Sequence, residues 1–116
     1  MRHDKLTKIA VSALEDIKAR DILVLDVRKL TSIADTLVIA SADSARQVKA
    51  LANHVRDKLK EAGAGIVGVE GEEGGEWVLV DAGDIVVHVM QPAVRAYYNL
   101  EELWAPANYR RRASAA

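Results

Sequence analysis

A chain of 116 residues and 12.6 kDa, half of them apolar, has room for one domain with one real core and not for two. It holds no cysteine, which removes disulfides and thiolate metal sites, and no apolar run near the roughly 20 residues that a membrane-spanning helix needs. A formal net charge of −1 argues against a protein that holds nucleic acid chiefly by neutralising phosphates.

The N-terminus, Met1 to Lys5, leads into a polar-striped segment rather than the apolar core of a signal peptide, so the expected location is the cytoplasm. Leu6, Ile9, Ala10, Ala13, Leu14 and Ile17 follow one helical face, and the spacing predicts an amphipathic helix over 4–20 with Asp4 as its cap. Ile22 to Val27 reads as a short, largely buried strand, Lys29 to Asp35 as a polar connector, and Thr36 to Ser41 as a second strand. Ser44 with Gln47 has the form of a capping box. Behind it Val48, Leu51, Ala52, Val55 and Leu59 keep helical spacing until Gly63 supplies a stop. Ile66 to Val69 predicts a short strand. Two more, Glu76 to Asp81 and Asp84 to Met90, are joined by Ala82-Gly83 in the form of a tight hairpin. Pro92 suits the first turn of a helix running through Val94, Tyr97 and Tyr98, and Asn99 can recap a final turn with Leu100, Leu103 and Trp104. Residues 1–104 are thus expected to form the domain, and 105–116, with Arg110 to Arg112, a disordered basic tail.

With Ala82 and Gly83 as loop residues, Asp81 stands opposite Asp84, Leu79 opposite Val86 and Trp77 opposite His88. Alternation sends Val78, Val80, Ile85, Val87 and Val89 to the other face, which the helices should cover. Trp77, Leu79, Val86, His88 and Met90 then form an amphipathic face rimmed by two carboxylates, the make-up of a protein-binding surface. Trp77 also has a plainer reading as a core residue beside a hydrogen-bonded His88. Two facing aspartates favour the open face, because a covered face would hardly bury both. Charge points the same way. Between Lys60 and Arg95 no basic residue interrupts Glu61, Glu70, Glu72, Glu73, Glu76, Asp81 and Asp84. Setting aside the three tail arginines leaves 13 basic against 17 acidic residues, a formal −4. Such a run either keeps the surface solvated or complements a basic partner.

Catalytic chemistry has little support. Leu30 to Ile39 resembles the start of the nucleotidyltransferase fold, in which a Gly-Ser turn leads to a strand with two carboxylates at alternate positions holding Mg²⁺. Here the residue two after Asp35 is Leu37, and no Gly-Ser turn precedes it. His3, His54 and His88 lack metal-ligand spacing, and there is no P-loop or GxGxxG. Ser32, His88 and Asp81 could be assembled into a nucleophilic triad only as any such chain allows by chance.

Leu25-Asp26-Val27, Ser32 to Asp35, Ser44 to Val48, Val69-Glu70-Gly71, Glu76 to Asp81, Gly83 to Val89 and Tyr98 to Trp104 together resemble the ribosomal silencing factor family, also called iojap-like. The resemblance runs over residues 4–104 in unbroken order. It implies an α/β fold, a mixed sheet of about five strands flanked by helices, nucleotidyltransferase-like but without transferase activity and without a cofactor. It further implies binding to the large ribosomal subunit at ribosomal protein uL14, which blocks small-subunit joining and represses translation when nutrients are short. By motif position it implies partner-binding roles for Trp77, Leu79, Asp81, Asp84, His88, Arg95, Tyr98, Leu100 and Trp104. Thr36-Leu37 departs from the family, many of whose members have an aromatic pair there. A homodimer through the same open face is a second expected use of it, and the basic tail is a candidate for a minor rRNA contact. The alternative to a silencing factor is a nucleotidyltransferase-like homodimeric scaffold or degenerate enzyme.

Overall fold

The structure, a computed structural model, describes residues 2–32, 34–100 and 102, with side chains from Lys5 onward. Two helices carry the main core. The first, α1, spans Arg2–Asp16 and buries Leu6, Ala10, Ala13 and Leu14. It ends where Lys18 takes a positive φ of 63° and Ala19 N–H bonds back to Leu14 O at 3.0 Å, satisfying a carbonyl of the last turn. The second, α2, spans Ala45–Glu61, and the Ser44 hydroxyl accepts from Gln47 N–H as the sequence predicts. The Gln47 side chain closes the cap one residue further out, its Oε1 accepting from Asp43 N–H at 3.1 Å. The predicted stop at Gly63 is present: φ is 93°, and Ala64 N–H reaches Leu59 O at 3.0 Å.

Five strands follow: β1 (Arg20–Asp26), β2 (Thr36–Ser41), β3 (Gly68–Glu70), β4 (Trp77–Asp81) and β5 (Ile85–Met90). They form one sheet in the order β1-β2-β5-β4-β3, parallel between β2 and β5 and antiparallel elsewhere. Parallel pairing needs a long crossover, and α2 lies within it. A short helix, α3 (Pro92–Tyr98), completes the order with Pro92 in its first turn and Asn99 as a left-handed C-cap. The result is a mixed α/β domain with a five-stranded sheet flanked by helices, the predicted fold class.

Helices α1 and α2 cover the sheet face bearing Val38, Ala40, Val78, Val80, Ile85, Val87 and Val89, all fully buried. A smaller cluster of Leu25, Val27, Leu37, Ile39 and Met90 lies on the opposite face, with Val94 and Leu100 packed against it. Strand β2, apolar on both faces, is buried at every position. Strand β1 corrects its sequence reading. It is an edge strand in which only Leu25 is buried and Val24 is 44% exposed. An apolar run shows that a strand forms but not where it lies in the sheet; β1 pairs only with β2, and its register breaks between Arg20 and Leu23. Among the described residues no helix is long and apolar enough to cross a membrane.

Candidate functional site

The site begins at the β4–β5 hairpin, whose register differs from the sequence reading by two residues. Asp81 pairs with Val86, Leu79 with His88 and Trp77 with Met90. The loop residues are Gly83 and Asp84, closed by Ala82 N–H on Ile85 O at 2.9 Å. Gly83 has φ 85° while Asp84 is not among the positive-φ residues, the sign pattern of a II′ turn, which starts with glycine and matches strand twist. Asp81 therefore does not face Asp84. Its Oδ1 caps the turn by accepting from Gly83 N–H at 2.9 Å, and Asp84 is exposed at the tip while its carbonyl receives Asp35 and Thr36 N–H. A slip of two preserves the faces, so Trp77, Leu79 and Asp81 still share one with Val86, His88 and Met90.

That face is open only in part. The chain reverses after Met90, Gln91 N–H bonding Glu76 O and the Gln91 amide reaching Gly75 O, and α3 then packs across the end of the face nearest β1 and β2. Met90 is fully buried and His88 is 8% exposed, against the expectation of an open position for both. Leu79, Asp81 and Val86 remain half-buried on the uncovered end, with Glu70 of β3 opposite Leu79.

Trp77 joins the two regions. It is half-buried against the smaller cluster, and its Nε1–H donates to His88 Nδ1 at 2.8 Å. The His88 proton accordingly sits on Nε2. Burial lowers the His88 pKa from 6.5 to about 4, so the ring is neutral at pH 7 and serves as an acceptor. The other side of the indole meets Tyr98, ring centroids 4.9 Å apart, and Tyr98 meets Tyr97 edge-on at 5.0 Å. Both tyrosines are well exposed, Tyr97 at 82%. A row of aromatic groups thus runs from a buried histidine to solvent, and both readings of Trp77 hold at once: one edge in the core, the other in the surface.

Of the remaining predicted residues, Leu100 packs into the smaller cluster behind this row, and Trp104 lies outside the described residues. Arg95 departs from a partner-facing role. It is 8% exposed, and its Nη1 donates to Asp21 O at 2.7 Å and Ser41 Oγ at 2.8 Å, tying α3 to the β1–β2 end of the sheet. The sequence marked Tyr97 only as a helix residue; its signal was position, directly before Tyr98 in a short helix with one side already taken by the core. Exposed carboxylates lie at the end of β3, on the loop before β4 and at the hairpin tip: Glu70, Glu72, Glu73, Glu76 and Asp84 are all exposed, Asp84 at the end of β4 and β5 away from Trp77.

The hydrogen bonds of His88 Nδ1 and Asp81 Oδ1 run to Trp77 Nε1–H and Gly83 N–H, and among the described residues none joins Ser32, His88 and Asp81 to one another. Among the described residues no three of His, Cys, Asp and Glu gather as a metal-binding group.

Comparison with known proteins gives a consistent result. The family model described as "Ribosomal silencing factor during starvation" matches residues 1–115. The ribosomal silencing factor of Chromobacterium violaceum is 62% identical over 104 residues, 90% of this chain and 85% of that protein. That of Bacillus subtilis is 42% identical over 107 residues, 92% and 91% of the two chains. A mouse protein named "Mitochondrial assembly of ribosomal large subunit protein 1" is 36% identical over 81% of this chain and 42% of its own length. A crystal structure from C. violaceum superposes with a TM-score of 0.89 at 58% identity, covering 100% of this chain and 97% of that one.

Proposed function

This chain belongs to the ribosomal silencing factor family, and we propose that it represses translation by docking on the large ribosomal subunit at ribosomal protein uL14 and sterically blocking the small subunit. The observation that carries this reading is the partly covered sheet face. It offers a fixed tryptophan, two exposed tyrosines and a half-buried leucine, and no basic residue interrupts the acidic run in the sequence between Lys60 and Arg95. Aromatic anchors with a charged rim are what a protein-docking hot spot requires, and an acidic rim suits the basic surface of a ribosomal protein. The mouse relative's name, which refers to the large subunit, supports that choice of subunit. Steric exclusion needs no turnover. The shortest extent of this molecule is 22 Å, so a copy seated at the joining face would hold two surfaces far beyond contact distance. The role places the protein in the cytoplasm, with its ribosomes.

Sedimentation tests the reading. Purified protein added to separated subunits lowers the yield of joined ribosomes and travels with the large subunit, and Trp77→Ala weakens both effects while the circular dichroism stays native. Unchanged joining at saturating protein would show the reading to be wrong. If light scattering finds a concentration-dependent dimer that subunits dissociate, the same face serves self-association as well.

A further inference from the structure

Helix α2 carries a second surface, on the sheet face opposite the aromatic row. Its buried residues, Val48, Leu51, Ala52, Val55 and Leu59, define the core side. At 100° per residue, Arg46, Lys49, Asn53, Arg56 and Lys60 fall within an arc of about 80° on one flank of the helix. Arg46 and Lys60 are exposed and the three between them half-buried. The stripe is about 21 Å long. No carboxylate of α2 lies inside the arc. Asp57 and Glu61 stand beyond its margin, pairing with Arg56 at 3.1 Å and with Lys58 at 3.9 Å. Arg46, Lys49 and Lys60 have no ion pair among the described residues. The loop before β4 packs against the start of the stripe: a Cβ on Gly75 would lie 2.7 Å from Ala45 Cβ and 3.0 Å from Lys49 Cε.

We infer that this stripe is a second docking surface, one that grips the phosphate backbone of ribosomal RNA. Its chemistry is all donors and positive charge apart from one amide. It lacks the aromatic or large apolar anchor that a protein partner would need, whereas phosphate contacts need only cations and amide donors. The low net charge of the chain conceals it, since the acidic hairpin region offsets α2 in the sum. The inference rests on the reading that the partner is the ribosome. Given that partner, two surfaces on opposite faces of one rigid sheet can engage together, and the second contact becomes intramolecular once the first is made.

The test uses the full chain with Arg46→Gln, Lys49→Gln, Arg56→Gln and Lys60→Gln combined. Glutamine has nearly the helix propensity of the residues it replaces, so the fold should survive. If circular dichroism shows otherwise, Lys49→Gln with Lys60→Gln is the substitute. Binding is measured to protein-free large-subunit rRNA and to intact large subunits between 50 and 200 mM KCl. Affinity for both probes should fall by about tenfold or more for the fourfold variant, and the log–log salt slope should become shallower by about one for each cation removed. Trp77→Ala should lose affinity for intact subunits and keep it for bare rRNA. Unchanged affinity and slope for the stripe variant on both probes would reduce the stripe to a solvated face. Weaker binding to subunits with no change on bare rRNA would assign it to an acidic protein and overturn the RNA inference. Should Trp77→Ala instead leave subunit binding intact, it is the hairpin docking reading that fails, and the rRNA measurement still decides the stripe.

Discussion

Acidification from pH 7 to pH 5 should destabilise this domain through one residue, His88. In the native state its ring is buried beside Trp77, with its pKa lowered to about 4; in the unfolded chain it titrates near 6.5. Between those values the unfolded state binds more protons than the native state, so stability rises with pH and is lost as pH falls through 6.5 toward 4. Linkage over that interval gives a loss of about 2 kcal/mol from pH 7 to pH 5. With a urea m-value of about 2 kcal/mol per M, the midpoint should drop by about 1 M. Urea titrations followed by circular dichroism at the two pH values measure this, with His88→Gln as the control. Glutamine can still accept from the indole N–H but cannot titrate, so its midpoint should fall much less. Parallel falls in the two proteins would refute the assignment and move the effect to other groups.

Four substitutions test how the fold and the site are held. Gly71→Ala should cost about 3 kcal/mol or more in urea denaturation, since φ is 90° there and a Cβ would lie 2.0 Å from Trp77 O, whereas Gly63→Ala, at φ 93° in open space, should cost only about 1 kcal/mol. Arg95→Met keeps the stem but leaves Ser41 Oγ and Asp21 O without the guanidinium, so about 3 kcal/mol should be lost, measured the same way; a neutral result would mean α3 is held by Val94 and Leu100 alone. Ser44→Ala removes the cap of α2 and should cost about 1 kcal/mol, seen as a lower thermal midpoint.

The elements most legible in the sequence were those written in local chemistry. Ser44, Gln47 and Gly63 bounded α2 because capping depends on neighbours three to six residues away. The valine face of the hairpin was legible because alternation is local too, and it survived a register error of two. The error arose because Ala82-Gly83 and Gly83-Asp84 both satisfy a tight turn, and the positive φ at Gly83 decides between them only in the folded chain. What stayed illegible was long-range. Nothing near Ile22 says that β1 is an edge, and nothing near Arg95 says that its guanidinium reaches back 74 positions to Asp21. The closure of half the open face by α3 belongs to the same class, and it turned His88 and Met90 from expected contacts into supports.

That change of role bears on how the surface would bind. An exposed tryptophan free to rotate must be ordered on contact, at about 0.5–1.5 kcal/mol for an immobilised side chain. Here the indole is already fixed on one edge by the His88 acceptor and on another by Tyr98. The peptide carbonyl of Trp77 leaves no room for anything larger than a glycine at Gly71, so the backbone is fitted as closely as the ring. His88 can serve only as a neutral imidazole, because a protonated ring would present a donor to the indole N–H. Burial keeps it neutral at pH 7, so the feature that makes the fold acid-sensitive is also what holds the anchor ready. Tyr97, 82% exposed, meets Tyr98 edge-on but lacks a buried acceptor such as His88, and must lose more of its freedom on contact. Binding strength at this face should therefore concentrate in Trp77 and fall away toward Tyr97, with the carboxylate rim governing association rate more than residence time.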